Sequence, residues 1–349
     1  MTANAGGTTR REIVSQASVW KETLQDLEQN GYGLPVALPQ GRGLFVGAGS
    51  SLYLSRTLAH LMRALTGAPV FAVPPSDLLV CPDDYNHPDP AWSIGVSRSG
   101  TTTETVRALG VQRDRYNGAT WALTCHPEAE MAKEAQAALA VERAAEKSVV
   151  MTRSFTTMLL GLSRWMFHID RRKELLDGQK RLPEALDALL STFELDVHTA
   201  VKQFQPDRIV TFGQGAYYGL ACEIALKAKE MAIMPSEPFH SLEYRHGPKS
   251  IADEKTFIVA LLSDDGGDYE KNLLADIKKL GAKIWAITGS AKGLTKDHAD
   301  LVTEVGTDIP EKARLPLVMP VAQLYGLEFA LSRGEDPDSP KNLTQVVTL

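Results

Sequence analysis

The chain has 349 residues, 44% hydrophobic and 23% charged, a composition that suits a globular protein of two ordinary domains. Its net charge of −6 argues against a nucleic-acid or membrane-surface role, and no apolar run approaches the roughly 20 residues of a membrane span. Three cysteines (Cys81, Cys125, Cys222) lie far apart without a CxxC, which argues against a disulfide framework and fits a reducing cytoplasm.

The opening MTANAGGTTRRE has no apolar core of a signal peptide and is expected to be disordered. EIVSQASVWKETLQDLEQ then places apolar residues at helical spacing and predicts one leading helix, completing an N-terminal arm over 1–29. From Gly43 a unit begins to repeat: a short apolar run, a small-residue loop, a long amphipathic segment. GLFVGAGSSLYLSRTLAHLMRAL (43–65) predicts strand, glycine turn and helix, and AWSIGVSRSG (91–100) and ATWALT (119–124) predict further strands. Between them, CPDDYNHPDP (81–90) holds three aspartates and a histidine, but its prolines and asparagine favour a surface loop over a metal site. Cys125-His126 reads as a strand end rather than a catalytic pair.

A polar, helix-rich segment near 171–195 joins this half to a second one. DRIVTFGQGAYYGLACEIALKAKEMA (207–232) repeats the first unit, with Gly47 and Gly49 falling on Gly213 and Gly215 at an offset of 166. TFIVALLSDDGG (256–267) matches AWSIGVSRSG at that offset, which sets Ser97 on Ser263, and KIWAIT (283–288) echoes ATWALT. Strands alternating with helices imply parallel sheets covered on both faces. The expectation is an α/β protein with two copies of one doubly wound domain, 30–185 and 195–349.

The halves differ in chemistry. SRSGTTTET (97–105) follows a strand with a run of hydroxyls and one arginine. Beyond the carboxyl end of a parallel strand, such a loop presents helix N–H groups and hydroxyl donors to an anion; a capped helix start on a polar surface loop is the plainer alternative. The matching SDDGGDYE offers aspartates, which repel phosphate, so one anion site per chain is expected. No GxxxxGK[ST] is present, and Leu52 stands where a dinucleotide fingerprint needs a small residue, so a phosphate monoester fits better.

EIALKAKE places Glu223, Lys227 and Glu230 on one face of a helix. That face is either an exposed Glu–Lys pair or, since Ile224, Leu226 and Met231 adjoin it, a polar stripe beside a buried surface. EPFHSLEYRHGPKS (237–250) brings two histidines, of which His246 precedes a Gly-Pro turn. A loop histidine is often a surface hydrogen-bonding group, yet its ordinary pKa near neutrality also suits proton transfer.

GAGSS, SRSGTTTET, VVMTRSFTT, EIALKAKE and YRHGPKS, in this order, resemble the sugar isomerase (SIS) domain family, with two SIS domains in tandem. The resemblance implies that each domain is a three-layer α/β/α sandwich with a parallel, flavodoxin-like sheet, and that the ligand is a phosphosugar. It implies that Ser51, Ser97, Arg98, Ser99 and Thr102 hold the sugar phosphate, with Gly49, Ser50 and Val149 beside the sugar. Glu230 matches the base that carries a proton between C1 and C2, with Lys227 stabilising charge or relaying a proton. His246 matches the ring-opening histidine, which in the family often reaches in from the partner subunit; Glu243 supports it, and His240 has no assigned role. A homodimer with its active site near the subunit interface follows, with no metal or organic cofactor and no nucleic-acid or membrane partner.

Within the family, two groups are similar: the isomerase half of glucosamine-6-phosphate synthase and the AgaS-like ketose/aldose isomerases of galactosamine catabolism. Thr2 stands where the synthase has its glutaminase cysteine, so no glutaminase domain is expected, and Gln345 stands where the synthase has a Schiff-base lysine. REIVSQASVW (11–20), VPPSDLLV (73–80), MTRSFTTM (151–158) and YRHGPKSIADEKT (244–256) favour the second group. The expected activity is cytoplasmic aldose–ketose isomerisation of a hexosamine 6-phosphate with release of ammonia. A synthase-like isomerase, a fructosamine phosphate deglycase and a non-catalytic phosphosugar sensor are the alternatives.

Overall fold

The computed structural model describes residues 5–38, 40–84 and 91–345; most of the expected surface loop at 81–90 lies outside the described residues. Two compact units divide the chain: one takes 15–147, 151–180 and 344–349, the other 1–14, 148–150 and 181–343. The leading segment is two helices, α1 (Gly7–Val14) and α2 (Gln16–Asn30), where one helix was expected after a disordered start. α1 forms because Asp338 accepts the N–H groups of Thr8 and Thr9, both at 2.8 Å, while Asp336 accepts that of Gly6 at 2.9 Å. Carboxylates at a helix N-terminus satisfy orphan donors and complement the dipole.

The unit of residues 15–180 runs β1 (Gly43–Val46), α3 (Ser50–Thr66), β2 (Val70–Val73), α4 (Pro75–Val80), β3 (Trp92–Val96) and α5 (Thr103–Tyr116). It continues β4 (Ala119–Thr124), α6 (Glu130–Glu134), β5 (Ala137–Ala140), α7 (Arg153–Ile169) and α8 (Lys173–Lys180). The other unit runs α9 (Leu182–Gln203), β6 (Arg208–Phe212), α10 (Tyr217–Ala232), β7 (Ser236–Phe239), β8 (Thr256–Leu261) and α11 (Gly267–Lys278). It ends with β9 (Lys283–Thr288), β10 (Leu301–Glu304), α12 (Glu311–Arg314) and α13 (Val318–Ser332).

Both sheets are five-stranded and wholly parallel, ordered β2-β1-β3-β4-β5 and β7-β6-β8-β9-β10. This is the flavodoxin-like order, and it puts a switch point between β1 and β3, and again between β6 and β8, where ligands bind beyond the carboxyl ends of strands. β1 and β3 are buried along their whole length, as strands covered on both faces must be. Trp92, Trp121 and Trp165 pack in series between the first sheet and α7, and Trp285 packs on Phe193 of α9 and Tyr325 of α13 in the second unit. Each such buried side chain contributes roughly 1.5–3 kcal/mol. The helical stretch Glu311–Ser332 is long and apolar enough to cross a membrane, but 83% of its apolar window is buried inside the protein.

The sheet register corrects the internal alignment by one residue. Val46 pairs with Gly95, and Phe212 with Ala260, so the step from the first to the third strand is a residue shorter in the second unit. The N–H of Ser97 bonds the Leu123 carbonyl as that of Leu262 bonds the Ile287 carbonyl. Ser97 therefore corresponds to Leu262, and Arg98 to Ser263. The contrast between the loops persists, since Ser99 now falls on Asp264 and the arginine still has no counterpart.

Candidate active site

In the first unit, the turn after β1 and the loop after β3 lie side by side because their strands are hydrogen-bonded neighbours. Gly47 is required by packing, since a Cβ there would meet Ser51 backbone atoms at 2.7 Å. Gly49 caps α3 at φ 58°, a left-handed backbone that glycine adopts without strain. Ser50 and Ser51 open α3 and are almost buried.

The loop after β3 is tied by its own hydroxyls. Ser97 Oγ lies 2.9 Å from Thr102 Oγ1 and 3.5 Å from Ser99 Oγ, and it accepts the Gly100 N–H at 3.1 Å. Ser99 Oγ accepts the Thr101 N–H and hydroxyl at 3.2 and 3.1 Å. Thr102 is the N-cap of α5 but makes no side-chain capping bond. The first-turn N–H groups of α5 thus have no intrahelical partner, and the positive end of its dipole faces the same hydroxyls. A dianionic phosphate suits such a donor set.

Arg98, expected on the phosphate, pairs with groups of the protein itself. Its side chain is nearly buried; Nη1 bonds Glu146 Oε1 at 3.1 Å and Nη2 bonds the Gln345 carbonyl at 3.1 Å. Glu146 is fully buried and accepts from the Thr152 N–H at 3.2 Å, the Thr152 hydroxyl at 2.9 Å, the Ser154 N–H at 3.3 Å and the Ser154 hydroxyl. It therefore caps α7. Sequence reading missed Glu146, and no spacing rule finds it: it stands six and eight residues before the groups it caps and 48 after its ion-pair partner. Val149 lies half-buried in a bend at 148–150. Cys125 is buried, and burial drives its thiol pKa well up, against nucleophilic use.

In the second unit, α10 settles the reading of its charged stripe. Glu223 is fully buried and Lys227 is 2% exposed, so this is no surface pair. Lys227 Nζ lies 3.2 Å from Glu223 Oε1 and also hydrogen-bonds Glu230 Oε2. Burial works to lower the Lys227 pKa, but the two carboxylates outweigh it and raise it above the ordinary value. Glu230 keeps 19% of its side chain exposed.

The HGP segment follows β7. A 3₁₀ turn, Ser241–Arg245, is anchored by Tyr244, fully buried against Phe212 and Phe239, and by the Ser241 hydroxyl on Glu270 at 3.2 Å. Glu243 and His246 are exposed. His240 stacks on Tyr218 with ring centroids 3.7 Å apart. Glu230 lies near the end of α10, before β7, and His246 follows β7 after the 3₁₀ turn. Among the described residues no hydrogen bond or ion pair joins the two.

Neither described cavity holds these residues. One of about 570 Å³ is lined by Thr23, Leu27, Tyr32, Ala138 and Arg143, beside α2 and β5. Another, about 230 Å³, lies over the carboxyl ends of β8 and β9, where Asp264 pairs with Arg314 and Glu270 accepts the Ser263 N–H. Among the described residues, no group of three or more His, Cys, Asp or Glu side chains could hold a metal ion.

The SIS domain family matches residues 204–325. Over 359 residues the chain is 27% identical to the glutamine–fructose-6-phosphate aminotransferase (isomerizing) of Gloeobacter violaceus, covering 97% of this chain and 58% of that protein. The enzyme of the same name from Sulfurisphaera tokodaii is 30% identical over 318 residues, covering 88% of this chain and 50% of the relative. The chain thus spans about half the length of the curated relatives it matches. Among solved structures, glucosamine-6-phosphate deaminase from Thermotoga maritima is 28% identical with a TM-score of 0.79, covering 98% of this chain and all of that one. Tagatose-6-phosphate ketose/aldose isomerase from Escherichia coli shares the fold at 23% identity and a TM-score of 0.83, covering 97% and 95% of the two chains. Residues 204–325 thus match the SIS domain family, and two parallel sheets in flavodoxin-like order give the chain the fold of these phosphosugar isomerase structures.

Proposed function

We propose that the protein is an enzyme, an aldose–ketose isomerase of hexose phosphates that acts on a hexosamine 6-phosphate and releases ammonia. The α10 triad carries this reading. A lysine sits between two carboxylates, one sealed in the core and one, Glu230, able to meet a substrate. Glu230 takes the proton from C2 of the open-chain 2-amino aldose and returns it to C1 through an enolamine. This leaves an imine at C2, to which water adds, and ammonia departs from the ketose 6-phosphate. Lys227, behind Glu230, orients it and supplies the counter-charge. His246 transfers the proton at the ring oxygen that opens the sugar, with Glu243 supporting it. Ser51, Ser97, Ser99 and Thr102 bind the 6-phosphate, with Gly49, Ser50 and Val149 beside the sugar.

The protein acts as a cytoplasmic homodimer in which the histidine serves the partner's base, a reading that agrees with the lack of any hydrogen bond between His246 and Glu230 among the described residues. The name and full coverage of the Thermotoga structure support deamination. A second reading, an amine-transferring isomerase, is favoured by the aminotransferase relatives; Gln345 in place of a Schiff-base lysine weighs against it.

Glu230→Gln tests the reading. Turnover of glucosamine 6-phosphate or galactosamine 6-phosphate should fall by roughly 10²–10⁴-fold, the usual worth of a general base, while the ester still binds by calorimetry. A variant that turns over like the parent would overturn it.

A further inference from the structure

We infer that Glu146 is a positioning residue of the phosphate loop, an inference that rests on the reading of residues 97–102 as the phosphate-ester site. Three segments meet on its carboxylate or beside it. Arg98, inside the loop after β3, pairs with Glu146 Oε1 at 3.1 Å. Thr152 and Ser154, at the start of α7, donate their backbone N–H groups and both hydroxyls. Gln345, in the C-terminal segment, donates its side-chain amide to the Glu146 carbonyl at 3.2 Å and accepts from Arg98 on its own carbonyl at 3.1 Å.

A buried carboxylate carries this many donors only where its location is fixed. Glu146 is fully buried, and its ionic partner sits directly between Ser97 and Ser99. Pairing the Arg98 side chain with Glu146 fixes the backbone between the two serines, and with it the loop's hydroxyls and its approach to the α5 N-terminus. The anchor gives the arginine a second task besides any contact with phosphate: it shapes the loop and links it to Gln345. The second unit gives the converse case. Its matching loop has Ser263 at this position and no arginine, and it carries Asp264 where the first has Ser99.

The test compares Ser97→Ala, Glu146→Gln and the double variant Arg98→Met/Glu146→Gln, reading melting temperature and binding of glucosamine 6-phosphate and inorganic phosphate by calorimetry. Ser97→Ala tests the loop itself: unchanged binding would remove the reading on which the inference rests, whatever Glu146 does. Glu146→Gln strands a buried guanidinium and should lower both melting temperature and affinity. The double variant removes the stranded charge, so it should recover most of the melting temperature while binding stays at least tenfold weak. Recovery of both together would mean a purely structural pair and would overturn the inference. Hydrogen exchange on the unaltered protein gives a readout free of folding losses. Adding glucosamine 6-phosphate should slow the amides of 97–102 and of Thr152 and Ser154 in concert, and slowing confined to 97–102 counts against the inference.

Discussion

Replacing Lys227 with methionine tests the buried stripe of α10. The lysine lies 3.2 Å from Glu223, which is fully buried, and it also bonds Glu230. At an effective dielectric near 20, the Glu223 attraction alone is about 5 kcal/mol, most of it offset by desolvation. Removing one partner strands the other, and the net loss for such a change is about 3–5 kcal/mol. In a unit of this size that lowers the melting temperature by roughly 10 °C, which calorimetry or circular dichroism measures directly. The pH dependence has a definite sign. Without Lys227 a carboxylate stays buried with no counter-charge, so the variant's deficit should shrink as pH falls. In the parent, the raised Lys227 pKa gives stability that is complete at neutral pH and is lost only as pH climbs past the ordinary lysine range. Glu223→Gln/Lys227→Met, which leaves no unpaired charge in the core, should melt much closer to the parent. A Lys227→Met protein within about 2 °C of the parent at pH 8 would refute the reasoning.

Other outcomes follow from burial. Native protein treated with iodoacetamide at pH 8 should be alkylated at Cys81, which is exposed, and not at Cys125 or Cys222, which are buried; mass spectrometry after unfolding should find all three reactive. Burial raises the Glu270 pKa despite its hydrogen bonds to Ser263 and Ser241, so its contribution to stability is greatest below the ordinary carboxylate range and is lost as pH rises through the raised value. Glu270→Gln should flatten that part of the stability profile, and a melting curve series from pH 4 to pH 7 that keeps the parent's slope would contradict it.

What the sequence disclosed and what it hid divide along the distance between partners. The strand–turn–helix units were readable because their signals are local: apolar runs, and the paired glycines of 47 and 49, and of 213 and 215. Gly213 repeats the constraint at Gly47, since a Cβ there would meet the Tyr217 carbonyl oxygen at 2.4 Å. The spacing of Glu223, Lys227 and Glu230 put them on one helical face, but only the packing around α10 shows that face to be buried. Long-range contacts were invisible. Residues 7–11 look disordered in isolation and are helical because of two aspartates some 330 positions away. The sequence suggests Arg98 as a phosphate ligand and gives no sign of its ion pair with Glu146, 48 residues on. The one-residue slip in the internal alignment arose because shared glycines fix the offset at the first strand, whereas the chain between first and third strands is one residue shorter in the second unit.

The most direct test of the central claim is proton transfer at the sugar carbon. The protein would be incubated in D₂O with glucosamine 6-phosphate, galactosamine 6-phosphate and fructose 6-phosphate separately, with proton NMR following C1 and C2 and ammonia measured in parallel. The account predicts deuterium at the carbon that is reprotonated, a ketose 6-phosphate product, and ammonia from at least one of the amino sugars. Binding of these esters without exchange or product from any of them would contradict it and leave a protein that senses phosphosugars without converting them.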